Sequence, residues 1–216
     1  MPDRLNRLAP LTGVVFAALI AVSFFTSPQE PKATASGAHV IAFYTAHRSA
    51  ERVGAVIGTV ALVLFVCFAG SLYSRMRRAG RDQSLGVVAL TGAGLVAAGL
   101  TISGSLTWAL TDHPSHFSPA AAQAVNSVAY DMVLPMIAGV MLFGVATGLA
   151  VRRAEWLPGW LGWPLIVLGI AAASPAFPLA LLGVVIWTAA AAVTLVTRRD
   201  RLALELESEP LSGAAA

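Results

Sequence analysis

Six apolar runs dominate this 216-residue chain: Ala9–Phe25, Val53–Leu72, Leu85–Trp108, Met132–Val151, Leu161–Phe177 and Leu179–Thr197. All 25 charged residues lie between or beyond them. Inside a bilayer the backbone has no water to bond. An apolar stretch of about 20 residues is therefore stable there as a helix, whose hydrogen bonds are internal. The expected fold is an all-α, polytopic transmembrane helical bundle of six spans, with a short extra helix in the first outer loop. At 57% hydrophobic and 12% charged residues the chain departs from a soluble composition, which runs near 45–50% and 25%. Little chain remains for anything else, so residues 1–201 are expected as one transmembrane domain and 202–216 as a flexible cytoplasmic tail.

The positions of the basic residues orient the bundle. With the N-terminus inside, the inner segments carry Arg4, Arg7, Arg75, Arg77, Arg78, Arg81, Arg152, Arg153, Arg198, Arg199 and Arg201. The outer segments carry only Lys32, Arg48 and Arg52. Basic residues near span ends stay on the cytoplasmic side, so both termini are expected in the cytoplasm and the protein in the cell inner (cytoplasmic) membrane. Trp156, Trp160 and Trp163 would sit at an inner boundary and Trp108 at an outer one. The net charge of +3 follows from this arrangement and calls for no nucleic-acid partner. Arg4 and Arg7 ahead of an apolar run, with Ala33-Thr34-Ala35 downstream, also have the ingredients of a secretory leader. Pro28 and Pro31 stand between run and site, and the run is long for a leader, so a retained span is expected. The single cysteine, Cys67, excludes an intrachain disulfide and is expected as a small buried residue.

Between the first two runs, Gly37 opens a helical stretch over residues 38–51, whose Val40, Ile41, Tyr44, His47, Arg48 and Glu51 share one face. Unbroken to Leu72 it would reach about 52 Å, more than a bilayer, so its first part must project outward or turn along the interface. The third run is rich in small residues, including Gly92, Gly94, Gly99 and Gly104, which permit close helix approach. Ser118 and Pro119 form a helix start, cap then first helical position. The last two spans are joined by a short hairpin across residues 174–178.

No Asp, Glu, Lys, Arg or His lies in the middle of a run. Ion pumps and proton-coupled carriers use such residues, so a small transporter is disfavoured. The hydroxyls of Thr59, Thr91, Thr101, Ser103 and Ser105 are expected to bond carbonyls of their own helices. All four histidines, by contrast, map to the outer side. The candidate binding or polar-cap residues are Tyr44, His47, Arg48, Glu51, Asp112, His113, His116, Tyr130 and Asp131. Imidazole and carboxylate bind metals and move protons. However, His113-x-x-His116 contains a proline and lacks the glutamate of helical zinc motifs, so no metal and no cofactor is expected. The simplest role for these groups is a capping network, in which Arg48 pairs with Asp131 or with Glu51, and Asp131 takes Arg48 or Arg52 as its partner.

Phe43-Tyr44-x-x-His47-Arg48 before the second run and Leu157-Pro158-x-Trp160-Leu161-Gly162-Trp163 entering the fifth resemble a group of uncharacterised six-span bacterial integral membrane proteins of the high-GC Gram-positive type. The resemblance covers roughly Leu8 to Arg201 and fits the excess of Arg over Lys. It implies a cytoplasmic-membrane location and carries over no catalytic residue. The function expected is that of an accessory, regulatory or scaffold component with an outer polar cap. Its partners are the lipid bilayer and other membrane proteins or a lipid-like ligand. The alternative is a membrane-embedded enzyme or a lipid- or isoprenoid-binding protein with its site at the outer rim. In that case Trp108, Tyr130, Trp187 and the hydroxyls of the third run would line the cavity.

Overall fold

The computed structural model describes residues 10–26, 28, 30–79, 83–153 and 157–208, with side chains described as far as Arg198. Arg4, Arg7, Arg81 and Trp156, named above as markers of the inner side, lie outside the described residues, as do residues 209–216 of the expected tail. The described chain is helical: α1 Leu11–Thr26, α2 Gly37–Ala46, α3 Arg48–Arg78, α4 Gln83–Asp112, α5 Pro119–Asp131, α6 Val133–Arg153, α7 Gly162–Ala171 and α8 Phe177–Ser208. Short 3-10 turns at Pro114–His116 and Gly159–Leu161 connect them.

Among the described residues four helices are long and apolar enough to cross a membrane: α3, α4, the α5–α6 pair and α8 through Arg198. The apolar runs nearest the N-terminus and in α7 form shorter helices. α1, with 16 residues, is about 24 Å long, and α7, with 10, about 15 Å. The hairpin after α7 comes earlier than residues 174–178. The turn begins at Ala172, and Pro178 already lies in the first turn of α8, where its missing amide leaves no bond unmade.

Six helices close a ring in chain order. α1 packs on α3, α3 on α4, α4 on α6, α6 on α7 and α7 on α8, while α8 returns to α1. Aromatic rings run through its centre: Phe16 against Phe65 at 5.0 Å between centroids, Phe65 against Phe143 at 5.3 Å, and Phe143 against Trp187 at 6.3 Å. Beside them lies an apolar void of about 140 Å³, bounded by Phe16, Phe65, Val96, Val140, Phe143 and Val184 among others.

Apolar side chains gain little by leaving lipid for each other, so helices in a bilayer associate through close backbone packing. Within the ring, α4 and α6 come close enough for their main chains to meet. A Cβ on Gly92 would meet the Phe143 amide nitrogen at 2.4 Å, and one on Gly139 the Val96 nitrogen at 2.6 Å. The small residues of the third run thus place α4 where a residue with a side chain would hold the helices apart.

At one end of the ring α2 and α5 pack on each other and on α4, burying Val40, Tyr44, Leu110 and Ala122. Gly37 and Pro119 fix this contact, because a Cβ on Gly37 would overlap the Pro119 carbonyl. The residue 30–36 connection is tied down by Asn126 Nδ2, which donates to the Lys32 carbonyl at 3.1 Å, and Ser127 Oγ, which donates to that of Ala33 at 2.8 Å. Ser118 caps α5 as its sequence predicts, accepting from the Ala121 amide at 3.3 Å. The α2–α3 stretch does not run unbroken: it bends at His47, φ −108°. α5 and α6 are also separate, with Met132 between them, because Pro135 cannot donate to the Asp131 carbonyl and its ring crowds it.

Gly139→Ala should lower the thermal unfolding midpoint in detergent by the equivalent of about 1–3 kcal/mol, the usual cost of overfilling a packed contact. Gly94→Ala, whose Cβ meets nothing within 4 Å, should not lower it.

Candidate functional site

Asp112, the last residue of α4, organises the polar groups at the α2–α5 end. It lies one turn beyond Trp108 on α4, and Arg48 and Arg52 lie one turn apart on α3, so two helix faces meet across it. Arg52 Nη2 donates to Asp112 Oδ1, and Arg48 Nη2 donates to the Asp112 backbone carbonyl and lies 3.8 Å from Oδ1. His113 Nε2 stands 3.0 Å from Oδ2. The His113 ring stacks on that of His116, 5.0 Å away and nearly parallel. Arg48 thus satisfies a carbonyl at the C-terminus of α4, where exposed carbonyls favour a cation, while Arg52 pairs with the carboxylate of its last residue.

Behind this cluster lies a second, more buried group. Tyr44 is 2% exposed and Glu51 8%, and Glu51 Oε1 has no hydrogen-bond partner. Burial is the main cause that raises the Tyr44 phenol above its ordinary range. The charges of Glu30 and Glu51 add to it, and a hydrogen bond with the Thr107 side chain works the other way. Glu30 keeps accessible surface as a residue, but atoms packed about its carboxyl raise that group too. His47 belongs to neither group: its Nδ1 is 3.0 Å from the Phe43 carbonyl and its ring leans on Phe43.

Several expectations are corrected here. Arg48 and Arg52 pair with Asp112, not with Asp131 or Glu51. Asp131 is exposed at the end of α5 and joins no ion pair among the described residues, and Tyr130 is 63% exposed beside it. α5 packs on α2 and α4, and Ser103, which precedes Asp112 by more than two turns of α4, donates to the Ala129 carbonyl close to Asp131. Trp187 does not line a rim cavity: it is buried in the ring, donating its indole N–H to the Leu161 carbonyl at 2.8 Å. Cys67 is exposed on α3, not buried. Among the described residues no three His, Cys, Asp or Glu are grouped so as to hold a metal ion.

Directly below the arginines, an open-sided groove of about 530 Å³ runs between α3 and α4. α3 contributes Ala55, Val56, Gly58, Thr59, Val60 and Leu62, and α4 Leu100, Thr101, Gly104, Ser105 and Trp108, with Ile20 of α1 at its floor. The groove persists because its walls are short. Cβ atoms on Gly58 and Gly104 would meet nothing within 4 Å. Its hydroxyls are turned back on their own helices, as the sequence predicts for them: Thr59 donates to the Ala55 carbonyl at 2.8 Å, Thr101 to Ala97 at 2.7 Å and Ser105 to Thr101 at 2.8 Å. What faces the groove is therefore mostly carbon. Ser103 departs from that rule, donating to the Ala129 carbonyl of α5 at 2.8 Å and joining the two helices. At the mouth the Arg52 guanidinium lies 6.0 Å from the Trp108 ring centroid, so one aromatic touches both the cation and the apolar trough.

Asp112→Asn should lower the thermal unfolding midpoint in detergent and release the α2 and α5 amides to faster hydrogen exchange. Asp131→Asn should change neither. Equal effects of the two variants would contradict the pairing described.

No family model, curated protein or solved structure matches this chain.

Proposed function

We propose that this chain is an accessory protein of the cytoplasmic membrane that works by binding an amphiphile in the α3–α4 groove. The observation that carries this reading is the union of an apolar trough of about 530 Å³ with a charged, hydrogen-bonding mouth. Sites for small ligands commonly have such volumes, with apolar walls and a few placed polar groups. An amphiphile matches both parts. The exposed Val56 and Val60 on the groove's edge would leave an acyl chain open to surrounding lipid, which suits exchange by lateral diffusion.

In this reading the short α1 and α7 also cross, giving six spans with both termini inside. Support comes from the arginines at the C-terminal ends of α3 and α6 and near Arg198 of α8, all at the end of the ring opposite α2 and α5. Arg152 packs 4.0 Å from the Trp163 ring centroid there, an aromatic and cation pairing suited to a membrane interface.

Delipidated protein should take up one phospholipid per chain, seen as a discrete adduct in native mass spectrometry. Gly104→Leu, which fills the groove, should lose the adduct. Gly94→Leu, equally open but outside the groove, should keep it. Retention by both variants sinks the groove reading. For the threading, His113→Cys in a Cys67→Ser background should react with an impermeant maleimide on intact cells, and labelling only after lysis reverses the orientation.

A further inference from the structure

The mouth of the groove carries more positive charge than its own carboxylate neutralises. Two guanidinium groups, Arg48 and Arg52, share the single carboxylate of Asp112, and Arg52 Nε is buried without a hydrogen-bond partner. The other nearby carboxylates, Glu51 and Glu30, form no ion pair with either arginine among the described residues, and their charges act on the buried Tyr44 instead. Arg52 is the arginine nearer the trough, one turn above Val56 and held over Trp108. We propose, building on the groove reading, that the amphiphile is a lipid with an anionic phosphate headgroup. Its phosphate seats against Arg48 and Arg52, and its chain lies along Val56, Thr59, Leu100 and Ser105. Guanidinium recognises phosphate through paired, charge-assisted hydrogen bonds, and the Arg48 and Arg52 side chains remain 47% and 41% exposed, so both can reach a headgroup at the mouth while Arg52 keeps its Asp112 bond. A zwitterionic headgroup brings its own cation to the same two arginines, so it is disfavoured there.

The test uses purified full-length protein in neutral detergent, offered phosphatidylglycerol or phosphatidylcholine with identical acyl chains, with bound lipid counted by native mass spectrometry. Wild type should retain phosphatidylglycerol about tenfold over phosphatidylcholine, the ratio expected when one charge-assisted bond distinguishes them. Arg52→Gln should reduce that preference to about two- to threefold while phosphatidylcholine still binds. Raising sodium chloride to about 0.5 M with wild type should compress the preference in the same direction through screening, a measurement that does not depend on a variant folding. Adding inorganic phosphate at matched ionic strength should leave bound phosphatidylglycerol in place, since the chain contributes to its affinity; displacement by phosphate alone would mean that the arginines take a free anion. Equal retention of the two lipids by wild type, or an undiminished preference in both Arg52→Gln and high salt, overturns the headgroup assignment and leaves the groove intact. Gly58→Leu separates the two claims: if it binds both lipids as wild type does, the groove itself is wrong.

Discussion

Close backbone contact between α4 and α6 underlies the rest of this structure. In hydrocarbon a helix satisfies its own hydrogen bonds, and burying apolar side chains in a neighbour supplies little that lipid does not. Association must then come from dense packing, and Gly92 and Gly139 provide it by letting main chains meet where any side chain would intervene. Gly144 and Gly148 repeat the device between α6 and α7, with Gly169 and Gly162 opposite. These contacts align three helices, and the aromatics of α1, α3 and α8 then fill the space that remains.

The same residue type produces the opposite result on α3 and α4. Gly58 and Gly104 face no neighbour, and the short hydroxyl side chains beside them bend back to their own carbonyls. A glycine opposite a glycine draws helices together, whereas a glycine opposite nothing leaves a trough. Asp112 and the two arginines bridge α3 and α4 at the top of that trough, so the ion cluster both closes the bundle's end and forms the mouth of the groove.

Much of this was legible in the chain. Long apolar runs specify helices, Ser118-Pro119 starts α5, and the hydroxyls of Thr59, Thr101 and Ser105 bond their own helices. The partner of Arg48 was not, because the choice between Asp112 and Asp131 depends on where α5 points. Its placement rests on long-range contacts, the packing of α5 on α2 and the Ser103 bond to the Ala129 carbonyl, which no local pattern announces. Arg52 did carry a signal, lying one turn beyond Arg48 on the same face. Glu30 carried none: it sits in a proline-flanked connection, and only the anchoring of Lys32 and Ala33 by α5 brings it near Tyr44. The shortness of α7 was only partly signalled: Ser174 and Pro175 mark the turn, whereas Ala172 and Ala173, where the chain leaves the helix, suit a helix as well as the residues before them.

The void among the central aromatics has a mechanical consequence. Its walls offer no hydrogen-bonding group, so water gains nothing by entering and the space stays dry. Side chains that border empty space lack attractive contacts on that side. Under hydrostatic pressure the bundle should therefore yield there first, around Phe65 and Phe143, before the glycine-bonded pair of α4 and α6 gives way.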